Sequence, residues 1–318
     1  MSLYHARSAV AGVAALAVAA VALACGAGDD PVAQLSLHEA VEAEDLERLR
    51  ALLAEGVDLN TRDAEGRTAL HLAAHLGFWP MEQDLLDAGA DVGARTADGR
   101  TPLHLAVTGD KSLRTTMMLL THGAMPRARD DQGRTPLHSD LNSRNARLLL
   151  GYGAEPNARD DAGRTPLHVV ASFSRGGAMI SLLEGGAEAN VIDDVGRTPL
   201  HYSVTHPTTR LVYVLVAEGI DLDHQDEAGS TALHIAARDG VRRIVRLLVD
   251  SGADRSLQDS QGRTPLQVAI EAGQDINAKA LRAYDEKERP HRPRKPRRRP
   301  VVSEADPQVR PPDASGGC

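Results

Sequence analysis

Histidine is the residue whose spacing along this chain could do chemistry. His71, His104, His138, His168, His201 and His234 recur at intervals of 30 to 34 residues. A row of imidazoles is a row of candidate metal ligands. If each ring belongs to one layer of a stack, its neighbour lies roughly 8–10 Å away, the spacing of packed helices. Two rings so placed cannot both reach a zinc at about 2 Å. The expected role is structural: a buried imidazole tying the turn of one layer to the turn of the next by hydrogen bonds.

Two further sets repeat or cluster. Arg67, Arg100, Arg134, Arg164, Arg197 and Arg263 each directly follow a glycine, and Ser230 takes this place once. These arginines would form a cationic ladder for an acidic partner. Alternatively, Asp63, Asp130, Asp160, Asp193, Asp226 and Asp259, three before the glycines, pair with them and cancel the charge. Exposed pairs of that kind contribute only about 0–1 kcal/mol. The aromatic set is Phe78, Trp79 and Phe173, which are both phenylalanines and the one tryptophan, with His206 at the equivalent stretch. Aromatic residues are enriched where binding energy concentrates, so these are candidate partner anchors. The competing reading makes Trp79 a lid over the edge of its own unit.

Other chemistry finds no support. There is no G-x-x-x-x-G-K-[ST] phosphate loop, and Asp130-Asp131, Asp160-Asp161 and Asp193-Asp194 lack the calcium-loop spacing with its terminal Glu. Paired Asp at such places favours local turn bonding. No catalytic residue, cofactor or metal is expected, and an enzyme would need a site that only folding assembles.

The elements that carry these residues repeat. GRTPLH stands at 99–104, 133–138, 163–168 and 196–201, with GRTALH at 66–71, GSTALH at 229–234 and GRTPLQ at 262–267. The glycine suits a left-handed turn, Thr can cap a helix, Pro fits its first turn, and Leu opens the apolar face. A second apolar pair follows, such as Leu85-Leu86 or Leu182-Leu183, and then a glycine that ends a helix, such as Gly89 or Gly186. One unit therefore reads helix, turn, helix, long turn. It cannot bury its apolar face alone, so stacked copies supply the core.

On this motif and period the chain resembles an ankyrin-repeat protein from 35 to 284. The resemblance implies an all-α solenoid of about eight helix-turn-helix units with capping repeats. It also implies protein binding through turn tips and inner helices on a concave face. The first unit keeps only Ser36-Leu37-His38 of the motif and has charged helices, so it reads as the N-terminal cap. The unit from Gly262 replaces the histidine with Gln267 and reads as the C-terminal cap. The fourth unit is about three residues short, close to one helical turn, which predicts a weaker layer. Gly176-Gly177 enters the second helix of the fifth, at about 1 kcal/mol per glycine relative to Ala.

The ends differ from the repeats. Residues 1–25 have a short n-region with His5 and Arg7 and then a run of Ala, Val and Leu from Ala9 to Ala24. The run is short for a spanning helix, which needs about 20 strongly apolar residues. It reads as an export signal. Val21-Ala22-Leu23-Ala24-Cys25 resembles a bacterial lipobox with Cys25 as the lipidated first mature residue, although Ala22 replaces the usual Leu. Ala22-x-Ala24 also suits ordinary cleavage, and an uncleaved anchor is the third reading. With only two cysteines, Cys25 and Cys318, a disulfide framework is excluded.

Residues 26–34 read as a linker and 285–318 as a disordered Pro- and Arg-rich tail. The whole chain carries −8; with +1 in 1–25, +7 in 289–300 and −2 in 301–318, residues 26–288 carry −14. The basic stretch RPHRPRKPRRRP at 289–300 could meet lipid headgroups or an anionic envelope polymer, or visit the acidic body of its own chain. It lacks interleaved aromatics, so nucleic acid is not expected. The resulting expectation is an exported bacterial scaffold, periplasmic or at the cell surface, membrane-anchored and binding protein partners. The alternatives are a structural spacer that binds nothing and an enzyme hidden in the repeats.

Overall fold

The structure, a computed structural model, describes residues 36–107, 112–139, 142–173, 176–239 and 241–285. The segment 1–25 expected to be an export signal, with Cys25, the stretch 26–34 expected to be a linker, the basic stretch 289–300 and Cys318 lie outside the described residues. Among the described residues are fifteen α-helices and one 3-10 turn, with no strand. They pair as eight repeats. The helices are Leu37–Glu42 with Leu46–Ala54, Ala69–Leu76 with Trp79–Asp87, Pro102–Ala106 with Ser112–Thr121, and Pro136–His138 with Ser143–Gly151. The second four pairs are Pro166–Ser172 with Gly176–Glu184, Pro199–Ser203 with Arg210–Ala217, Ala232–Asp239 with Arg242–Asp250, and Pro265–Glu271 with Asp275–Asp285. Two compact units divide between Pro199 and Leu200. The first holds repeats one to five, and the second runs from Leu200 through repeat eight.

Each repeat is helical for the reasons its motif supplies. Thr165, for example, is an extended N-cap at φ −93, ψ 165, with Pro166 in the first turn, where no N–H partner is needed. In the first unit, Leu70, Leu103, Leu137 and Leu167 follow the cap, and Leu85, Leu119, Leu149 and Leu182 come from the second helices. All eight are 0% exposed. Leu233 and Leu248 repeat the arrangement in the second unit. The core is thus a row of leucines, one pair to a layer, with alanines such as Ala73, Ala106 and Ala236 letting helices approach.

The turns are joined as well as the helices. The Ala97 N–H donates to the Glu65 carbonyl, Asp131 to Asp98, Asp161 to Gln132 and Asp194 to Ala162, at 3.0–3.1 Å. Ser260 does the same to Ala228 in the second unit, at 3.0 Å. One backbone bond therefore crosses from each of these turns to the next, and the register of the layers is set along this edge.

The shortened fourth repeat has a local consequence. Its first helix is reduced to the single 3-10 turn Pro136–His138. Leu137 and His138 remain buried, so the missing turn comes from the helix body and not from the interlayer contact. In the fifth repeat, Gly177 faces the fourth: a Cβ there would lie 3.4 Å from Ser143 Cβ. The glycine brings the second helices of these two repeats close together.

Candidate functional site

The repeated histidines are interlayer ties. The Thr68 N–H donates to His71 Nδ1 at 3.1 Å, and a backbone N–H can only donate, so Nδ1 is bare and the proton sits on Nε2. That Nε2–H donates to the Arg100 carbonyl of the next repeat at 3.1 Å. His104 to Arg134, His138 to Arg164, His168 to Arg197 and His234 to Arg263 repeat the bond at 2.9–3.1 Å. His201 meets the Ser230 carbonyl at 3.1 Å. Burial lowers the pKa of His71, His104, His138 and His234 and brings His168 to about 4. In the rings whose two nitrogens are both bonded, neither is left to serve as a ligand or base. Among the described residues no group of three or more His, Cys, Asp or Glu could hold a metal ion.

The caps modify the device. Ser36 and Glu39 form a reciprocal capping box in the first repeat, and His38 still reaches the Arg67 carbonyl at 2.8 Å. In the eighth, Gln267 Oε1 accepts from the Thr264 N–H at 2.8 Å. The amide copies the bare imidazole nitrogen and makes no interlayer bond among the described residues.

The arginine row lies at the turns, mostly in ion pairs. Arg67 meets Asp63, Arg134 meets Asp130 and Arg263 meets Asp259 at 2.7 Å, and Arg164 meets Asp160 at 2.8 Å. Arg100 pairs with Asp98 at 3.0 Å, since Thr96 stands where the other turns have Asp. The Arg197 N–H donates to Asp193 at 2.8 Å. These are not ordinary surface pairs. Asp130, Asp160, Asp193, Asp226 and Asp259 are each 4–7% exposed. Each accepts the N–H two and four residues on, so the carboxylate builds the turn from inside. Burial pushes the Asp130, Asp160 and Asp259 carboxyls up, yet the arginine and backbone N–H groups hold them below the ordinary carboxylate range. The expectation of exposed, nearly neutral pairs is corrected on burial: a desolvated charge-assisted bond contributes more than a screened one.

A second arginine row escaped the sequence reading. Arg62 and Arg129 each reach the carbonyl of their own turn glycine, Gly66 and Gly133, and a carbonyl one repeat on, Arg95 and Arg159. Arg95 reaches the Arg129 carbonyl and Arg159 the Ile192 carbonyl, and Gln225 makes the double contact in the second unit. The period-33 recurrence of Arg62 and Arg95 was the available signal.

The aromatic residues do not form one patch. Trp79 opens the second helix of the second repeat, 44% exposed, with the Arg114 guanidinium of the third repeat 3.7 Å above its ring. A cation over an exposed indole contributes about 0.5–1 kcal/mol. Phe78 beside it is half-buried at the N-cap. Leu113 and Met117, one turn apart around Arg114, are exposed, as is Leu76 before the turn. Phe173 caps the first helix of the fifth repeat, 52% exposed. It lies three layers from Trp79, roughly 25–30 Å at the spacing of packed helices. His206 is half-buried between the helices of the sixth repeat, in the other unit.

Stacked helix-turn-helix units tied by a repeated Thr–His device define a repeat protein. The family model for ankyrin repeats (three copies) matches residues 37–114, 80–160, 139–226 and 206–289. The chain belongs to the ankyrin-repeat family, whose repeats generally mediate protein–protein interactions. No curated protein matches it. Among the described residues no helix is long and apolar enough to cross a membrane.

Proposed function

We propose that this chain is an exported interaction scaffold of the bacterial cell envelope, held at a membrane by lipid on Cys25, that binds partner proteins at the turn and helix ends. Trp79 is the observation that carries the binding face. It is a large aromatic left 44% exposed, in a chain whose layer core is built from Leu and Ala. Exposed Leu76, Leu113 and Met117 on neighbouring elements extend the apolar surface to which such an anchor belongs. Phe173 supplies a second, separate anchor. The arginines of the turn motif meet a partner mainly as ion pairs already formed, so they shape the edge and add little free charge.

Affinity capture from envelope extract tests the reading. Wild-type protein should retain a defined partner, and Trp79→Ala should lose most of it while keeping its helical signal. Equal capture by the variant would remove Trp79 from the site, and no specific capture by wild type would leave a spacer. Attachment is tested separately. Each buried CH₂ contributes about 0.8 kcal/mol, so several acyl chains hold a protein firmly, and Cys25→Ser should release it or block its maturation. Wild type found wholly soluble would end the lipoprotein reading. The basic stretch 289–300 would reinforce attachment by meeting anionic headgroups.

A further inference from the structure

The second unit carries a cationic groove on its second helices, away from the motif turns. It is an open depression of roughly 450 Å³ between repeats six and seven. Arg210 and Tyr213 line it from one helix, Arg243, Arg246 and Leu247 from the next, with Thr209 at the rim. All three arginines are exposed, and none has a carboxylate within ion-pairing distance or a hydrogen bond among the described residues. Tyr213 is 66% exposed. Asp250, one helical turn from Arg246, also lines the depression, and its carboxylate accepts the Tyr284 hydroxyl at 2.7 Å. Most arginines at the turns are paired, and residues 26–288 carry −14 overall. Three guanidiniums without an ion-pair partner among the described residues, against the one carboxylate of Asp250, are a local inversion of charge on so acidic a body.

We infer that this groove docks an acidic, extended segment of a partner protein, its carboxylates received by Arg210, Arg243 and Arg246. The inference rests on the partner-binding reading and places a second contact apart from Trp79. The spacing suits the ligand. Arg243 and Arg246 are one helical turn apart, roughly 5–6 Å between Cβ atoms. Alternate residues of an extended chain lie about 6.5 Å apart on one face. Arg210 stands on the neighbouring helix, roughly 8–10 Å across, where a further carboxylate can reach it. Guanidinium forks match carboxylates with two parallel bonds, and the Tyr213 hydroxyl can add a third donor. Leu247 gives the intervening residue an apolar floor.

The test is fluorescence anisotropy of the full chain with a labelled synthetic peptide of alternating glutamate and serine. Binding should weaken steeply with salt. The triple variant Arg210→Ser, Arg243→Ser, Arg246→Ser should bind about tenfold more weakly, with an unchanged urea midpoint showing that it is folded. A control triple, Arg95→Ser, Arg127→Ser, Arg147→Ser, removes the same charge from ion-paired sites in the first unit and should bind as wild type. Equal binding by the groove variant would overturn the inference, and so would equal loss in the control. Displacement of the peptide by inorganic phosphate at matched charge would also overturn it, in favour of a phosphate ligand. Capture through Trp79 is unaffected by any of these outcomes, so the two readings fail separately.

Discussion

His168 donates from Nε2 to the Arg197 carbonyl at 2.9 Å while its Nδ1 accepts from the Thr165 N–H at 3.0 Å. The ring is therefore neutral by construction, because a proton on Nδ1 would face a donor. Its burial brings the pKa to about 4 from an ordinary 6.5. The unfolded chain binds the proton first, so the contribution is complete above pH 6.5 and is lost as pH falls towards 4. The loss is about 3 kcal/mol at 1.36 kcal/mol per unit. His71, His104, His138 and His234 act in the same direction. Replacing His168 with Gln should keep the cap, as Gln267 does, lose the interlayer bond at about 1–2 kcal/mol at pH 7, and flatten the acid limb. Urea midpoints at pH 7 and pH 5 measure both effects, and a variant as acid-sensitive as wild type would refute the assignment.

Asp160 and Arg164 should respond unequally. The carboxylate accepts from the Ala162 N–H at 3.0 Å, the Arg164 N–H at 2.8 Å and the Arg164 guanidinium at 2.8 Å. Asp160→Ala orphans all these donors and should cost about 2–3 kcal/mol. Arg164→Ser leaves the carboxylate its two backbone bonds and should cost about 1 kcal/mol. A double-mutant cycle on urea midpoints reads the coupling directly. Equal losses from both single variants would make the pair, and not the turn, the stabilising unit.

How far such features are legible in a sequence depends on whether they repeat. The fold was readable because Gly, Thr, Leu and His return in register, and the shortened fourth repeat showed itself as a missing turn that became the 3-10 turn at Pro136–His138. The burial of Asp160 was not readable: Asp before a turn glycine looks the same whether its carboxylate points out or is 6% exposed. Arg210 belongs to one repeat, Arg243 and Arg246 to the next, and none sits in a motif, so only packing of two helices puts the three in one groove. Trp79 stood out by its rarity, but its partner Arg114 did not, since that contact joins neighbouring repeats.

Two glycines with nearly the same φ separate conformation from contact. Gly56 has φ +74 and Gly66 φ +73. A Cβ on Gly56 would meet nothing within 4 Å, whereas one on Gly66 would lie 2.7 Å from the Ala97 backbone nitrogen. Gly56→Ala should cost only the left-handed penalty, about 1–2 kcal/mol. Gly66→Ala must also push apart the turns that the Ala97–Glu65 bond joins, and should lose about 1–3 kcal/mol more. Thermal midpoints of the two variants test this, and equal shifts would mean that the turn edge is soft.

Glu82 should pull stability with pH in the opposite direction to His168. It lies in the second helix of the second repeat, 0% exposed, and neither carboxyl oxygen has a hydrogen-bond partner of normal geometry among the described residues. Burial raises its pKa to about 7 from 4.5, and the nearby Thr115 hydroxyl offsets that only in part. Here the folded protein holds the proton longer than the unfolded chain. The contribution is present below pH 4.5 and is lost as pH rises through 7, to about 3 kcal/mol. Glu82→Gln removes the ionisation while conserving the shape. It should match wild type at pH 4.5 and exceed it at pH 8 by roughly that amount, even though a buried amide is also imperfectly satisfied. Urea midpoints of both proteins across this range decide the matter. Parallel curves would show that the Glu82 carboxyl reaches solvent or a partner and carries no buried charge at neutral pH.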